Sequence, residues 1–186
     1  MRLALLLLVS AFLRAQQYFP PGTFENEVRY SRFLQALHEP SLWELSQKDP
    51  KAEVYRFFWL RSFDHPISVR LVVRPSGSGW LYARMTSGKG GYEPGRFTRV
   101  SQSWATKGKT QSLLTAFESV DFWNLPVLFD DHAVHLDGAD WIFEGVRDGR
   151  YHVIERWSPD RGDPLRGVGV LALKLARFRI REPEIY

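Results

Sequence analysis

Three features of the sequence predict an α+β domain built on an antiparallel sheet. Residues 54–104 hold four strand-like runs in succession, joined by short turns. A further strand pair brackets Asp148-Gly149, the dipeptide favoured in two-residue hairpins. Apolar stripes of helical period lie before, between and after these strands. The expected architecture is a four-stranded meander plus a C-terminal hairpin, packed by helices covering one face of the sheet. Strand–helix alternation is lacking, which argues against a parallel, dinucleotide-binding sheet.

The elements follow in order. Phe24 to His38 reads as a helix, with Tyr30, Phe33, Leu34 and Leu37 on one stripe. Pro40 ends it, and Ser41-Leu42-Trp43-Glu44 has capping-box form for a short second helix stopping before Pro50. Val54 to Phe63 is a strand rich in aromatic and bulky residues. Ile67 to Arg74 alternates, with Ile67, Val69, Leu71 and Val73 inward and Ser68, Arg70, Val72 and Arg74 outward. Pro75 to Gly79 is a turn, Trp80 to Thr86 returns with Leu81, Ala83 and Met85 inward, and Arg96 to Trp104 is the fourth strand. Thr110 caps a helix to about Val120, with Leu113, Phe117 and Val120 on one face. In the last helix Asp163 caps, Pro164 takes the first position, and Leu165, Val168, Ala172 and Leu175 form the buried stripe.

Residues 1–15 have the form of a cleaved secretory signal: Arg2, then an apolar run from Leu3 to Leu13, then Leu13-Arg14-Ala15 as the cleavage site. The run is too short for a membrane span, which takes roughly 20 residues. Residues 16–22, with Pro20-Pro21-Gly22, read as an extended linker, and residues 23–186 as one domain. A periplasmic or secreted protein follows, with no transmembrane span in the mature chain. There is no cysteine, which excludes disulfides, thiolate metal sites, a cysteine nucleophile and a lipid-anchored cysteine. Packing alone must hold the fold.

The overall charge of +4 hides a segregation. Residues 54–109 carry ten Lys and Arg against only Asp64 and Glu93, whereas residues 16–53 and 110–186 are each net acidic. Strand alternation places Arg70, Arg74, Trp80, Tyr82 and Arg84 on one outer face. Arginines among aromatics hold anions or planar groups and pack on glycan rings. With Arg99, and with Trp141 and Arg156 of the hairpin, they make the candidate binding set, for an anionic ligand, a glycan or an envelope protein. The competing reading is that the acidic C-terminal third packs on this face and neutralises it. Specific nucleic-acid binding is not expected, since the mature charge is low and no recognition motif is present.

Catalytic chemistry has weaker signals. A hairpin turning at Asp148-Gly149 pairs Val146 with Tyr151 and so outward, which makes Glu144 and Glu155 diagonal neighbours. Such a carboxylate pair, with His152 nearby in sequence, is the hydrolase candidate. A one-residue slip would exchange the faces. The same register sets Arg156 opposite Trp141, a cation–π candidate. His132, His135, Asp137 and Asp140 fall in an acidic stretch that suits a divalent ion by ligand type but matches no metal motif in spacing. No cofactor motif is present: Gly77-Ser78-Gly79 lacks nucleophile-elbow spacing, and Gly88-Lys89-Gly90-Gly91 is not a phosphate loop. That glycine run is a hairpin connection whose amides are free to meet an anion. Arg161-Gly162-Asp163 is read as a helix cap rather than an adhesion signal.

Phe122-Trp123-Asn124-Leu125-Pro126, Asp137-Gly138-Ala139-Asp140-Trp141 with Glu144, Tyr151-His152, and Arg156-Trp157-Ser158-Pro159 together resemble a pattern in small exported bacterial proteins of unassigned function. The likeness spans about residues 120–160. It implies an exported bacterial protein and supplies no catalytic residue. The leading expectation is therefore a non-catalytic binding module. A hydrolase, metal-dependent or not, is the alternative, and an assembly partner using exposed aromatics is a third.

Overall fold

The computed structural model describes residues 16–128 and 137–186. The signal segment, His132 and His135 lie outside the described residues. The order is α1 (Glu27–Ala36), α2 (Leu42–Lys48), β1 (Val54–Arg61), β2 (Ile67–Val73), β3 (Gly79–Thr86), β4 (Phe97–Ala105), α3 (Lys107–Ser119), β5 (Ala139–Arg147), β6 (Arg150–Trp157) and α4 (Pro164–Leu175). Short 3-10 turns occupy Phe122–Asn124 and Glu182–Glu184. All six strands form one antiparallel sheet in the order β4-β3-β2-β1-β5-β6. The meander is present, and the hairpin joins it through β5 against β1.

Helices cover both faces of the sheet, where the sequence led us to expect one. On the first face Tyr55, Phe57, Trp59, Ile67, Val69 and Leu71 pack with Leu113 and Phe117 of α3 and Leu165, Val168 and Ala172 of α4. On the second, Phe58, Leu60, Ile142 and Val153 pack with Tyr30, Phe33 and Leu34 of α1, and Leu42 of α2 meets Val54 and Val146. β1 is buried along its whole length because both its faces are roofed. Segment 16–22 has no regular helix or strand, yet it is no free linker. Tyr18 and Phe19 are buried in the second core, and Ser41 donates to the Gln17 carbonyl at 2.5 Å.

Local chemistry explains the elements. Ser41 accepts from the Glu44 amide and starts α2, and Asp163 caps α4 with Pro164 at its first turn. α3 starts earlier than expected: Thr106, not Thr110, is its cap, and Thr110 is buried inside the helix. The β5–β6 register pairs Arg147 with Arg150 and Glu144 with Val153, as the turn dictates. Asp148 and Gly149 have φ of 53° and 72°, the left-handed pair that a type I′ turn requires. Gly169 lets α4 approach the sheet, since a Cβ there would meet Trp141 at 2.4 Å.

Candidate functional site

The second face of the sheet carries most of the polar chemistry, and it divides into three parts. Its centre is a buried charge network. α1 ends with His38 in the left-handed region, and the Glu39 amide donates back to Leu34 at 2.9 Å. This Schellman closure turns Glu39 inward. Its carboxylate accepts from Arg70 Nε at 2.7 Å, with Arg56 Nη1 at 3.5 Å and Arg84 Nε at 3.4 Å. Arg56, wholly buried, also holds Glu144 at 2.5–2.6 Å and the Pro40 carbonyl. Burial works against the Arg56 charge, but Glu144 and Glu39 outweigh it and hold its pKa above the ordinary value. Burial raises the Glu144 carboxyl, opposed by Arg56 and by the Tyr151 hydroxyl, which donates to it at 2.9 Å. Arg84 also donates to the main-chain oxygens of Leu37 and His38. Arg70 and Arg84 are thus held by Glu39, from the N-terminal helices, while Glu144 of the hairpin holds Arg56.

The second part lies toward the start of β5. Arg29 Nη1 donates to Asp140 at 2.8 Å, and Tyr30 OH donates to the same carboxylate at 3.1 Å. Glu155 of β6 is the diagonal neighbour of Asp140 across the β5–β6 pair, on the same face of the sheet. Burial, then the Asp140 charge, pushes Glu155 up to about 7. The close carboxylate pair is therefore Asp140 with Glu155, while Glu144 belongs to Arg56. Among the described residues no group of three or more His, Asp or Glu could hold a metal, and Asp137 is exposed.

The third part is open. The end of α1 reaches Arg84 of β3 and Phe97 of β4, His38 stacking on the Phe97 ring, and beyond it Trp80 and Tyr82 are half-buried while Val100, Gln102 and Trp104 are exposed. Trp80 of β3 pairs with Trp104 of β4, and their rings meet edge to face at 5.2 Å. Tyr82 pairs with Gln102 beside them, and the Arg70 guanidinium lies 4.4 Å over the Tyr82 ring. Arg74 sits over Trp104 at 5.7 Å, and the Lys107 side chain lies beside Gly77. Trp104 is 44% exposed and Val100 64%, whereas Trp59 and Trp141 are fully buried. The result is an aromatic ledge, hydrogen-bonding at Gln102 and cationic at Arg74 and Lys107.

The remaining candidates are placed elsewhere. Trp141 is in the first core, opposite Arg156 in the β5–β6 register as expected, donating its indole N–H to the Tyr186 main-chain oxygen at 2.9 Å, and Arg166 lies 5.9 Å over its ring. Arg156 donates to the carbonyls of Pro126 and Val127. His152 shares a 3.1 Å hydrogen bond with the Leu125 carbonyl, burial lowers its pKa, and it faces away from Glu144. Arg99 lies on the first face, 4.3 Å over Phe178. The Gly88, Gly90 and Gly91 amides donate to the carbonyls of Pro94, Asp64 and Ser62, so the loop offers them to no anion. The sequence reading missed Glu39 and Trp104. Glu39 follows the end of a helix with no pattern to mark it. Trp104 was legible only through the β3–β4 register. Among the described residues no helix is long and apolar enough to cross a membrane. Comparison with protein-family models, curated proteins and solved structures gave no match.

Proposed function

We propose that the protein is an exported, non-catalytic binding module for an anionic polysaccharide of the cell envelope. The observation that carries this reading is the ledge of Trp80, Tyr82 and Trp104, with the exposed Val100 beside it, on a face whose centre is roofed by α1 and α2. Indole and phenol faces take the C–H faces of sugar rings, and edge-to-face packing holds the two indoles in fixed relation. Gln102 supplies hydrogen bonds to hydroxyls, and Arg74 and Lys107 meet carboxylate or phosphate groups. Among the described residues neither cation makes an ion pair. The export half of the reading rests on the signal-like N-terminus.

The test is affinity electrophoresis in gels containing polygalacturonate, with dextran as the neutral comparison. The wild type should be retarded by polygalacturonate, and the Trp80→Ala/Trp104→Ala variant should run about tenfold less retarded. Equal retardation of the two would reject the ledge as the site.

Hydrolysis is supported by one observation, the Asp140–Glu155 pair. A carboxyl held near neutrality beside a second carboxylate suits general acid–base work. Under that reading Glu155→Gln abolishes a glycan-hydrolysing activity that the Trp80→Ala/Trp104→Ala variant merely weakens. No product from wild-type protein across a panel of acidic glycans would dismiss it.

A further inference from the structure

The first face of the sheet ends in a second feature, independent of the ledge. Beyond α4 the chain folds back and leaves an open groove of about 450 Å³, in the size range of small-molecule sites. Its floor is apolar: Val170, Leu173, Phe178, Ile180 and Ile185, all continuous with the first core. Its rim is basic. Lys174, Arg177 and Arg179 are exposed, and among the described residues none of them makes an ion pair. Glu182, the one acid of the lining, is taken by Arg161 at 3.6 Å and Arg166 at 3.3 Å. Arg99 of β4 adjoins two of the lining residues, its guanidinium 4.3 Å over Phe178 and its Nη2 donating to the Arg177 carbonyl at 3.4 Å.

The helix end bears on the same point. α4 closes in a Schellman motif, with Phe178 N–H donating to Leu173 at 2.9 Å and Arg177 N–H to Lys174 at 3.0 Å. The left-handed position of that motif usually holds glycine, but here it is Arg177, with φ of 58°. The closure occupies helix-end carbonyls that a nearby cation would otherwise neutralise. An unfavourable backbone position is thus filled by a long cation at the mouth of an apolar groove.

We propose that this groove binds a single-chain anionic amphiphile as a monomer. The acyl chain lies on the Leu173–Phe178 floor, and the carboxylate or phosphate head meets Lys174 and Arg177. Charge complementarity selects the anion, and the apolar floor selects the tail; neither part alone suffices.

Equilibrium dialysis of the full chain against laurate, below its micelle concentration, tests this. Laurate and dodecyl phosphate should each bind at one per chain. Dodecanol, acetate and inorganic phosphate should bind at least about tenfold more weakly. Lys174→Glu/Arg177→Glu changes only exposed side chains, so its thermal midpoint should stay within a few degrees while laurate affinity falls about tenfold or more. Arg177→Gly should unfold at higher urea concentration than wild type yet bind laurate more weakly, a combination that a merely structural arginine would not give. No laurate binding, equal binding by dodecanol, or equal binding by the charge-reversed variant would overturn the proposal. So would capture by phosphatidylglycerol vesicles without monomer binding, which would make the feature a membrane-surface contact. None of these outcomes touches polygalacturonate binding at the ledge.

Discussion

Replacing Glu39 by glutamine tests how the basic meander is held. Glu39 is 2% exposed, and its carboxylate lies 2.7 Å from Arg70, 3.5 Å from Arg56 and 3.4 Å from Arg84. Glutamine keeps the shape and one acceptor oxygen and removes only the charge. Arg56 then keeps Glu144, while Arg70 and Arg84 lose the carboxylate that holds them. Removing one partner of a buried pair costs about 3–5 kcal/mol. The Arg84 side chain is 17% exposed and can shed part of its cost to water, so the lower end, about 3 kcal/mol, is the expected loss. That is a large fraction of the 5–15 kcal/mol typical of a domain, and it should lower the urea midpoint by roughly 1–2 M. Urea unfolding at pH 7, followed by tryptophan fluorescence, measures it. Adding Arg70→Met to the variant should restore part of the loss, since an unpaired buried cation goes with it. A loss below about 1 kcal/mol, the scale of an exposed pair, would refute the buried-network reasoning.

Further predictions concern the carboxylate pair and the tail. Glu155 is raised from an ordinary 4.5 to about 7, so the folded state holds a proton that the unfolded state has released between those values. Its contribution is full below about pH 4.5 and is lost as pH rises to about 7, a change of about 3 kcal/mol. Glu155→Gln should therefore gain stability relative to wild type as pH rises from 5 to 8, and parallel pH profiles of the two would contradict this. Removing Ile185 and Tyr186 takes away the main-chain oxygen that accepts from Trp141 at 2.9 Å and Trp59 at 3.3 Å, and the one that accepts from Arg166 at 2.6 Å. Buried donors left without partners cost about 1–3 kcal/mol each, so the truncated chain should lose about 3 kcal/mol or more in urea unfolding.

The sheet was largely legible because its signals are local. Alternation in Ile67–Val73 and the Asp148-Gly149 turn fix strand faces and register without reference to distant residues. What the sequence hid depends on which surfaces meet. Val54, Arg56, Phe58 and Leu60 alternate with Tyr55, Phe57 and Trp59, so both faces of β1 are bulky, the mark of a strand roofed twice. Arg56 masks that mark because an arginine is expected in water. Its burial depends on Glu39 and Glu144, which are 17 and 88 residues away. The start of α3 was hidden by Gly108, a poor helix former just after the Thr106 cap. Trp104 and Trp80 are 24 residues apart in the sequence, and only the β3–β4 register brings them together.

The proposed binding surface is the Trp80–Trp104 ledge. Indole N–H resonances in a nitrogen-15 spectrum test it most directly, during titration with polygalacturonate oligomers. Saturable shifts of the Trp80 and Trp104 indoles are expected, with those of the buried Trp59 and Trp141 unmoved. Unmoved Trp80 and Trp104 signals at saturating oligomer, or shifts confined to other residues, would contradict it.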